Sequence, residues 1–168
     1  MDSFNKLGGE KQKSIIDEMI SIDQEVVFDS TVKVIAESSF CWYFQHCRSL
    51  KHVIIPISVE EIGGYAFRDC SLLKALFIPA SVKIIGNFAF SNCTLLKAII
   101  IPSSTKEIGN CTFNRCSSIE RIYISNSVGK IGKASFFKCT SLKDLSIPNT
   151  SDSNEILHIG SDVTVTRI

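Results

Sequence analysis

Apolar residues recur along this chain at a spacing of 23 residues, and several columns keep one residue type at each recurrence. An Ile-Gly pair, a Phe, a Cys and a Leu or Ile each occur once per repeat. The columns are Ile62-Gly63, Ile85-Gly86, Ile108-Gly109 and Ile131-Gly132; Phe44, Phe67, Phe90, Phe113 and Phe136; Cys47, Cys70, Cys93, Cys116 and Cys139; and Leu50, Leu73, Leu96, Ile119 and Leu142. Agreement of so many columns at one period indicates an internal repeat.

Two hydrophobic periodicities alternate within each repeat unit. A first stripe has helical spacing and consists of Ala66, Phe67, Cys70 and Leu73. Leu76 and Ile78 then alternate with Phe77 as in a β-strand, and Pro79 ends that strand. A second short extended piece is expected over residues 82–85. Each unit is therefore predicted to be a short helical turn followed by a short strand, with the repeated glycines permitting the tight turn into the helical segment.

One unit of this kind cannot bury its own apolar face, so the units are expected to stack. Stacking places parallel strands about 4.8 Å apart and turns the repeated columns into ladders inside the molecule. The predicted fold is a repeat solenoid of the β/α type with about five stacked units and terminal caps.

The two ends of the chain depart from the repeat. Residues 1–31 are predicted to form an N-terminal cap, residues 32–150 five repeats, and residues 151–168 a degenerate closing repeat or C-terminal cap. In the N-terminal cap, residues 10–23 suit an amphipathic helix and residues 24–28 suit a strand. The alternatives are a flexible tail at the first end and an uncapped edge at the second, which would favour end-to-end association.

The columns resemble the BspA-type leucine-rich repeat. The third unit carries the pattern almost throughout, as Ile85-Gly86-Asn87-Phe88-Ala89-Phe90-Ser91-Asn92-Cys93 followed by Leu96, Ile99 and Ile101-Pro102. The resemblance extends over residues 32–148 and departs from the pattern at Thr105, Thr112, Ser125 and Ser135. It implies a leucine-rich repeat solenoid and a family in which many members are surface antigens or adhesins. It carries no catalytic motif, so it implies binding of a protein partner and names none.

Charge and hydropathy narrow the classes of function. The formal net charge is +1 and no run of Lys or Arg occurs, which argues against a nucleic-acid partner. The N-terminus lacks the apolar stretch of a secretory signal, and no apolar run approaches the roughly 20 residues that span a bilayer. The chain is therefore expected not to insert into a membrane and to be cytoplasmic by default, whereas the family resemblance implies a cell-surface location.

Seven cysteines raise the question of disulfides or metal binding. Five of them occupy one repeat column, no C-x-x-C pair occurs, and the three histidines show no ligand spacing, so no metal site is expected. A buried ladder of free thiols is the favoured interpretation, consistent with a reducing compartment. The alternative is a disulfide between column neighbours on adjacent units, which distance alone would allow.

Residue patterns for catalysis are absent from the sequence. No nucleophile, base and orienting group are suggested by the three scattered histidines. Neither a G-x-x-x-x-G-K-[ST] loop nor a G-x-G-x-x-G fingerprint occurs. The chain is therefore predicted not to be an enzyme and to need no cofactor.

Strand positions that alternate with the buried ones form an outward stripe of large apolar side chains. The stripe consists of Ile54, Phe77, Ile100 and Tyr123, followed by Ser146 and flanked by Arg121 and Asp144. Such a row is unusual on the surface of a soluble monomer, so it is predicted to bind a protein partner or a second copy of the chain. The alternatives are that like side chains pack along the ladder to stabilise the sheet, or that a terminal segment covers them.

Two functions of different class follow from these patterns. The first is a surface antigen or adhesin module, which the family resemblance favours. The second is an intracellular scaffold for protein–protein interaction, which the missing signal and the expected ladder of free thiols favour.

Overall fold

A computed structural model describes residues 25–28, 30–39, 44–149 and 159–168. The predicted helix over residues 10–23 lies outside these ranges. The described elements are β1 (Glu25–Val27), β2 (Val34–Ile35), α1 (Phe44–Ser49), β3 (His52–Ile54), β4 (Glu61–Ile62), β5 (Ile84–Ile85), β6 (Ala98–Ile101), β7 (Glu107–Ile108), β8 (Arg121–Ile124), β9 (Lys130–Ile131), β10 (Asp144–Ile147) and β11 (Thr164–Arg167). All strand pairs among them are parallel.

One side of the solenoid is a five-stranded sheet of two-residue strands in the order β2-β4-β5-β7-β9. These strands are the second extended pieces expected from the sequence, one for each turn of the chain. Their register advances by one repeat at a time, so that Ile85 lies beside both Ile62 and Ile108. The constant register turns the isoleucine column into a buried ladder.

The other strand line is divided into two sheets. β6, β8, β10 and β11 form a four-stranded sheet, and β1 pairs with β3. The segment of residues 75–78 lies between these sheets in sequence but belongs to no described strand. The strand predicted over Leu76 to Ile78 is therefore not part of the described hydrogen-bonded ladder, although the inward alternation persists in the burial of Ile78.

The predicted helical turns are mostly replaced by strings of hydrogen-bonded turns. Only the first unit has a described helix, α1, while residues 64–69, 87–92, 110–115 and 133–138 are turns. Tyr65 and Asp69 adopt positive φ values of 57° and 63°, which interrupts a helix within one turn. The freed N–H of Phe67 points along the solenoid and donates to the carbonyl of Ala89 at 2.8 Å. The repeat solenoid is confirmed, with less helix than its hydrophobic spacing suggested.

The core is a set of ladders that run along the solenoid axis. Phe67, Phe90, Phe113 and Phe136 are fully buried and stack with nearly parallel rings. Their centroids are 5.5, 5.7 and 6.3 Å apart in successive pairs, within the range of favourable offset stacking. The spacing of the rings follows from the rung spacing, so the core is as regular as the sequence period.

The repeated glycines serve close approach between turns of the chain. No described glycine has a positive φ, so the turns that follow the Ile-Gly pairs do not depend on a left-handed glycine. A Cβ built on Gly86 would lie 2.4 Å from the nitrogen of Gly64, and one on Gly132 would lie 2.4 Å from the nitrogen of Asn110. Only a residue without a side chain allows the backbones of adjacent rungs to approach this closely.

The cysteine column is divided between a disulfide and free thiols. Cys47 and Cys70 form a disulfide with a Cα–Cα distance of 4.3 Å, so the all-thiol interpretation is wrong for the first pair. Cys93, Cys116 and Cys139 are free and buried. Their Sγ atoms lie 3.2–3.3 Å from the carbonyl oxygens of Phe67, Phe90 and Phe113, to which they donate. Neighbours in one column thus occur in two covalent states.

Hydroxyl groups at columns that otherwise hold Ala or Val find backbone acceptors. The buried hydroxyl of Thr112 donates to the Gly109 carbonyl at 2.8 Å, and that of Ser135 donates to the Gly132 carbonyl at 2.7 Å. Thr105 donates to the carbonyl of Val82 at 3.0 Å. Because each hydroxyl is hydrogen-bonded, these departures from the repeat pattern add no unsatisfied polar group to the core.

Candidate partner-binding surface

The outward stripe lies on the face formed by β3, β6, β8 and β10. Residues alternate between exposed and buried along β6 and β8, as expected for strands with one face on the core. Ile100 is the Cα partner of Tyr123, and Tyr123 is the partner of Ser146. The exposed fractions are 53% for Ile54, 75% for Phe77, 68% for Ile100 and 47% for Tyr123. Four large apolar side chains therefore face solvent, and no described segment covers them.

Arg121 and Asp144 lie beside the stripe on adjacent strands. They are Cα partners in the ladder between β8 and β10, and both are exposed. Despite this proximity, no salt bridge joins them in the described part of the chain. The guanidinium and the carboxylate are thus available to a partner at the polar end of the stripe.

The strand line is interrupted at Phe77. The N–H of Lys97 donates to the carbonyl of Lys74 at 3.3 Å, but the next ladder bonds toward β6 are absent from the described structure. A cleft of about 270 Å³ lies between Phe77 and Ile100 and extends to Ala98 and Pro102. The cleft gives the centre of the stripe a concave, apolar floor, as expected for a surface that receives a partner side chain.

Sequence reasoning missed Ile57, a large exposed side chain that lines a second depression. Ile57 is 85% exposed and follows the proline that ends the first unit's strand. The corresponding residues of later units are Ala80, Ser103 and Asn126, so the apolar residue breaks its column. An apolar residue in a repeat column that otherwise holds small or polar residues is the sequence signal that could have identified Ile57.

A second depression of about 420 Å³ lies at the corner between the two strand lines. Lys83 and Glu60 form a salt bridge within it. The hydrogen bond from Lys83, followed by its charge, lowers the pKa of the Glu60 carboxyl. Its described lining combines Lys33, Lys83 and Lys106 with Glu60 and contains no aromatic side chain, so it lacks the row of large apolar groups that makes the stripe the stronger candidate.

The free thiols in the core are poorly suited to chemistry. Burial raises the pKa of Cys139 to about 12 and also raises the pKa of Cys93 and Cys116. A thiol reacts as its thiolate, which burial suppresses. Across the described ranges, no group of three or more His, Cys, Asp or Glu is placed to hold a metal ion. Within the same ranges, no helix has both the length and the apolar character needed to cross a bilayer.

Parallel strands in constant register, stacked phenylalanines and a repeated Ile-Gly pair define a leucine-rich repeat solenoid. The family model described as "BspA type Leucine rich repeat region (6 copies)" matches residues 18–72 and 41–158. The chain belongs to the BspA-type leucine-rich repeat family. This membership makes it a module of leucine-rich repeats.

Solved structures show the same fold. A leucine-rich repeat protein of T. pallidum is 32% identical with a TM-score of 0.68, and the match covers 73% of this chain and 58% of that one. A leucine-rich repeat protein of Bacteroides ovatus is 21% identical with a TM-score of 0.53, covering 86% and 54%. A leucine rich cell surface protein of Faecalibacterium prausnitzii is 22% identical with a TM-score of 0.50, covering 73% and 47%. The chain thus spans less than two thirds of each. A search of curated proteins finds no match.

Proposed function

We propose that this chain is a non-catalytic binding module of the surface antigen or adhesin type. It binds a protein partner through the stripe of Ile54, Phe77, Ile100 and Tyr123. The observation that carries this proposal is the exposure of four large apolar side chains in one row along one face of the solenoid. Apolar and aromatic residues at the centre of an interface supply most of its binding energy.

The polar groups beside the stripe support the same role. Arg121 and Asp144 are exposed at one end and form no salt bridge with each other within the described structure. Interfaces combine an apolar centre with a polar rim, and Arg is enriched at binding hot spots. The disulfide between Cys47 and Cys70 fits a chain that matures in an oxidising environment, as cell-surface proteins do.

The test compares the wild-type chain with a Phe77→Ser/Ile100→Ser variant in capture of proteins from intact cells and cell-surface extracts. Loss of two anchors that the partner would bury, at about 2 kcal/mol each, would weaken binding on the order of a thousand-fold. A matched control replaces two exposed apolar residues outside the stripe, as Ile84→Ser/Leu95→Ser. The control should keep the partner that the stripe variant loses.

Urea unfolding separates binding from a structural role of the stripe. Because Phe77 and Ile100 are mostly exposed, the stripe variant should keep the free energy of unfolding of the wild type. A large loss of stability together with unchanged capture would show that the row only stabilises the sheet. Sedimentation over a range of concentrations identifies the partner as a second copy if the wild type associates and the stripe variant does not.

A further inference from the structure

A row of exposed lysines runs beside the stripe at the amino-terminal ends of its strands. Backbone hydrogen bonds between adjacent rungs align three of these lysines with Glu120. The N–H of Lys97 donates to the carbonyl of Lys74 at 3.3 Å, that of Glu120 to Lys97 at 2.8 Å, and that of Lys143 to Glu120 at 2.9 Å. Lys51 occupies the same position of the first unit. We call Lys51, Lys74, Lys97 and Lys143 the lysine row. It contains four positive charges against the single negative charge of Glu120.

Glu120 is the acidic residue on the same line, but it forms no salt bridge with the lysine row in the described structure. All four lysines are exposed and none forms a salt bridge there. Like charges on adjacent rungs of a parallel sheet repel each other, so Lys74 beside Lys97 is a local destabilisation. Repulsion between exposed lysines adds nothing to the packing of the core. We expect such a row where a bound ligand of opposite charge offsets the repulsion.

The opposite strand line shows that the repeat can place compensating charges. There, Lys83 forms a salt bridge with Glu60 and Lys130 forms one with Glu107 across one repeat, although Lys106 follows Lys83 on the next rung. Both lines have the same rung spacing because they belong to the same solenoid. Within the described residues, the lysine row contains no such salt bridge.

The lysine row and the stripe are positioned to contact one partner together. Three residues of extended chain separate Lys97 from Ile100, a distance of about 10 Å. An α-helix has a diameter of about 10–12 Å and a pitch of 5.4 Å, close to the strand spacing of about 4.8 Å. A helix lying along the solenoid axis can therefore present one apolar residue per turn to the stripe and one carboxylate per turn to the lysine row.

We infer that the partner contacts this face with an acidic amphipathic helix, its apolar side on the stripe and its carboxylates on the lysine row. This inference rests on the proposed function, since it assigns a chemistry to the partner of the same surface. A nucleic acid fits less well, because base stacking needs aromatic groups on successive positions. In the stripe, Phe77 and Tyr123 are separated by Ile100.

The probe is a fluorescent synthetic helix with leucines along one face and glutamates along one flank, measured by anisotropy. Two matched peptides carry lysines in place of the glutamates or serines in place of the leucines. The wild-type chain should bind the first peptide at least about tenfold more tightly than either of the others, with affinity falling as salt rises.

Protein variants assign the binding to the lysine row. Lys74→Glu/Lys97→Glu should weaken binding of the glutamate peptide by about tenfold or more. The control Lys106→Glu/Lys130→Glu makes the same change of charge on the other strand line and should bind like the wild type. The milder Lys74→Gln/Lys97→Gln variant should keep or raise the urea midpoint, because it removes repulsion without inserting acidic groups.

Each other outcome has a defined meaning. Equal binding of the glutamate and lysine peptides, or no binding of the glutamate peptide, overturns the acidic-helix inference. The proposed function then still stands if the Phe77→Ser/Ile100→Ser variant loses its captured partner. Tighter binding of single-stranded DNA or a sulfated polysaccharide than of the peptide, abolished by Lys74→Glu/Lys97→Glu, would replace the helix by a polyanion and also overturn the inference.

Discussion

Replacing Gly109 by Ala is expected to force two turns of the solenoid apart. The new Cβ would lie 2.5 Å from the nitrogen of Asn87, 2.7 Å from its Oδ1 and 2.7 Å from the carbonyl carbon of Gly86. Non-bonded heavy atoms prefer separations near 3.5–4.0 Å, so the rungs must move apart locally by roughly 1 Å. Two of the three contacting atoms belong to the backbone, which cannot rotate away as a side chain can.

The movement acts on hydrogen bonds that link the rungs. The N–H of Gly109 donates to the carbonyl of Ile85 at 2.8 Å, and the N–H of Asn110 donates to Oδ1 of Asn87 at 2.7 Å. Overpacking costs about 1–3 kcal/mol, and each weakened hydrogen bond about 1 kcal/mol. We therefore expect a loss of about 3 kcal/mol in the free energy of unfolding, equivalent to roughly 6–12 °C in Tm for a domain of this size.

Urea unfolding followed by far-UV circular dichroism measures this loss, and the chain contains its own control. A Cβ on Gly129 would meet only the carbonyl oxygen of Lys106, at 3.7 Å, which is ordinary contact. Gly129→Ala should therefore leave stability unchanged or raise it by about 0.4–1 kcal/mol through the unfolded chain. If Gly109→Ala costs no more than about 0.5 kcal/mol, the close-approach explanation of the glycine column is wrong.

Two further predictions concern the core. Phe113→Ala should lower the free energy of unfolding, measured in urea, by about 3–5 kcal/mol, because it removes a buried ring from the middle of the stack. Phe137 is partly exposed, so Phe137→Ala should cost much less. Similar losses for both variants would contradict a continuous ring ladder. The pKa of Cys139 is raised by burial from 9.0 to about 12, and those of Cys93 and Cys116 are also raised, so unfolded thiols ionise where folded ones stay protonated. The stabilisation that comes from keeping these thiols protonated is fully present below pH 9. The free energy of unfolding should therefore fall as the pH rises from about 9 to 12, and it should fall less steeply in Cys139→Ala. An equal slope in that variant would count against a shifted pKa.

Much of the fold follows from the period of the sequence. A column such as Phe67, Phe90 and Phe113 occupies the same environment in every turn, because identical spacing places identical residues on successive rungs. Strand alternation likewise predicts that Phe77 and Ile100 point outward while Ile99 points inward. Membership of the BspA-type family and the parallel solenoid could therefore be predicted before any coordinate was known.

Several features depended on distances between rungs, which no column reveals. The glycines were assigned to tight turns, but the separation of adjacent backbones shows that they permit close approach. The cysteine column reads as five equal positions, yet Cys47 and Cys70 are bonded while the buried Cys93 is free. The helical spacing of Ala66 to Leu73 does not produce a helix, because cross-rung hydrogen bonds replace the bonds within one.

The outward stripe lies between these two cases. The sequence by itself determined which side chains point outward, since alternation along a strand depends only on neighbouring residues in the chain. The tertiary structure alone decided that the row stays uncovered within the described residues and that a cleft opens beside Phe77. It also decided that Lys74 and Lys97 align without a salt bridge in the part of the chain that the structure describes. The physical reason is that residue identity reports on burial and local backbone geometry, whereas pairing between rungs depends on how stacked backbones approach one another in space.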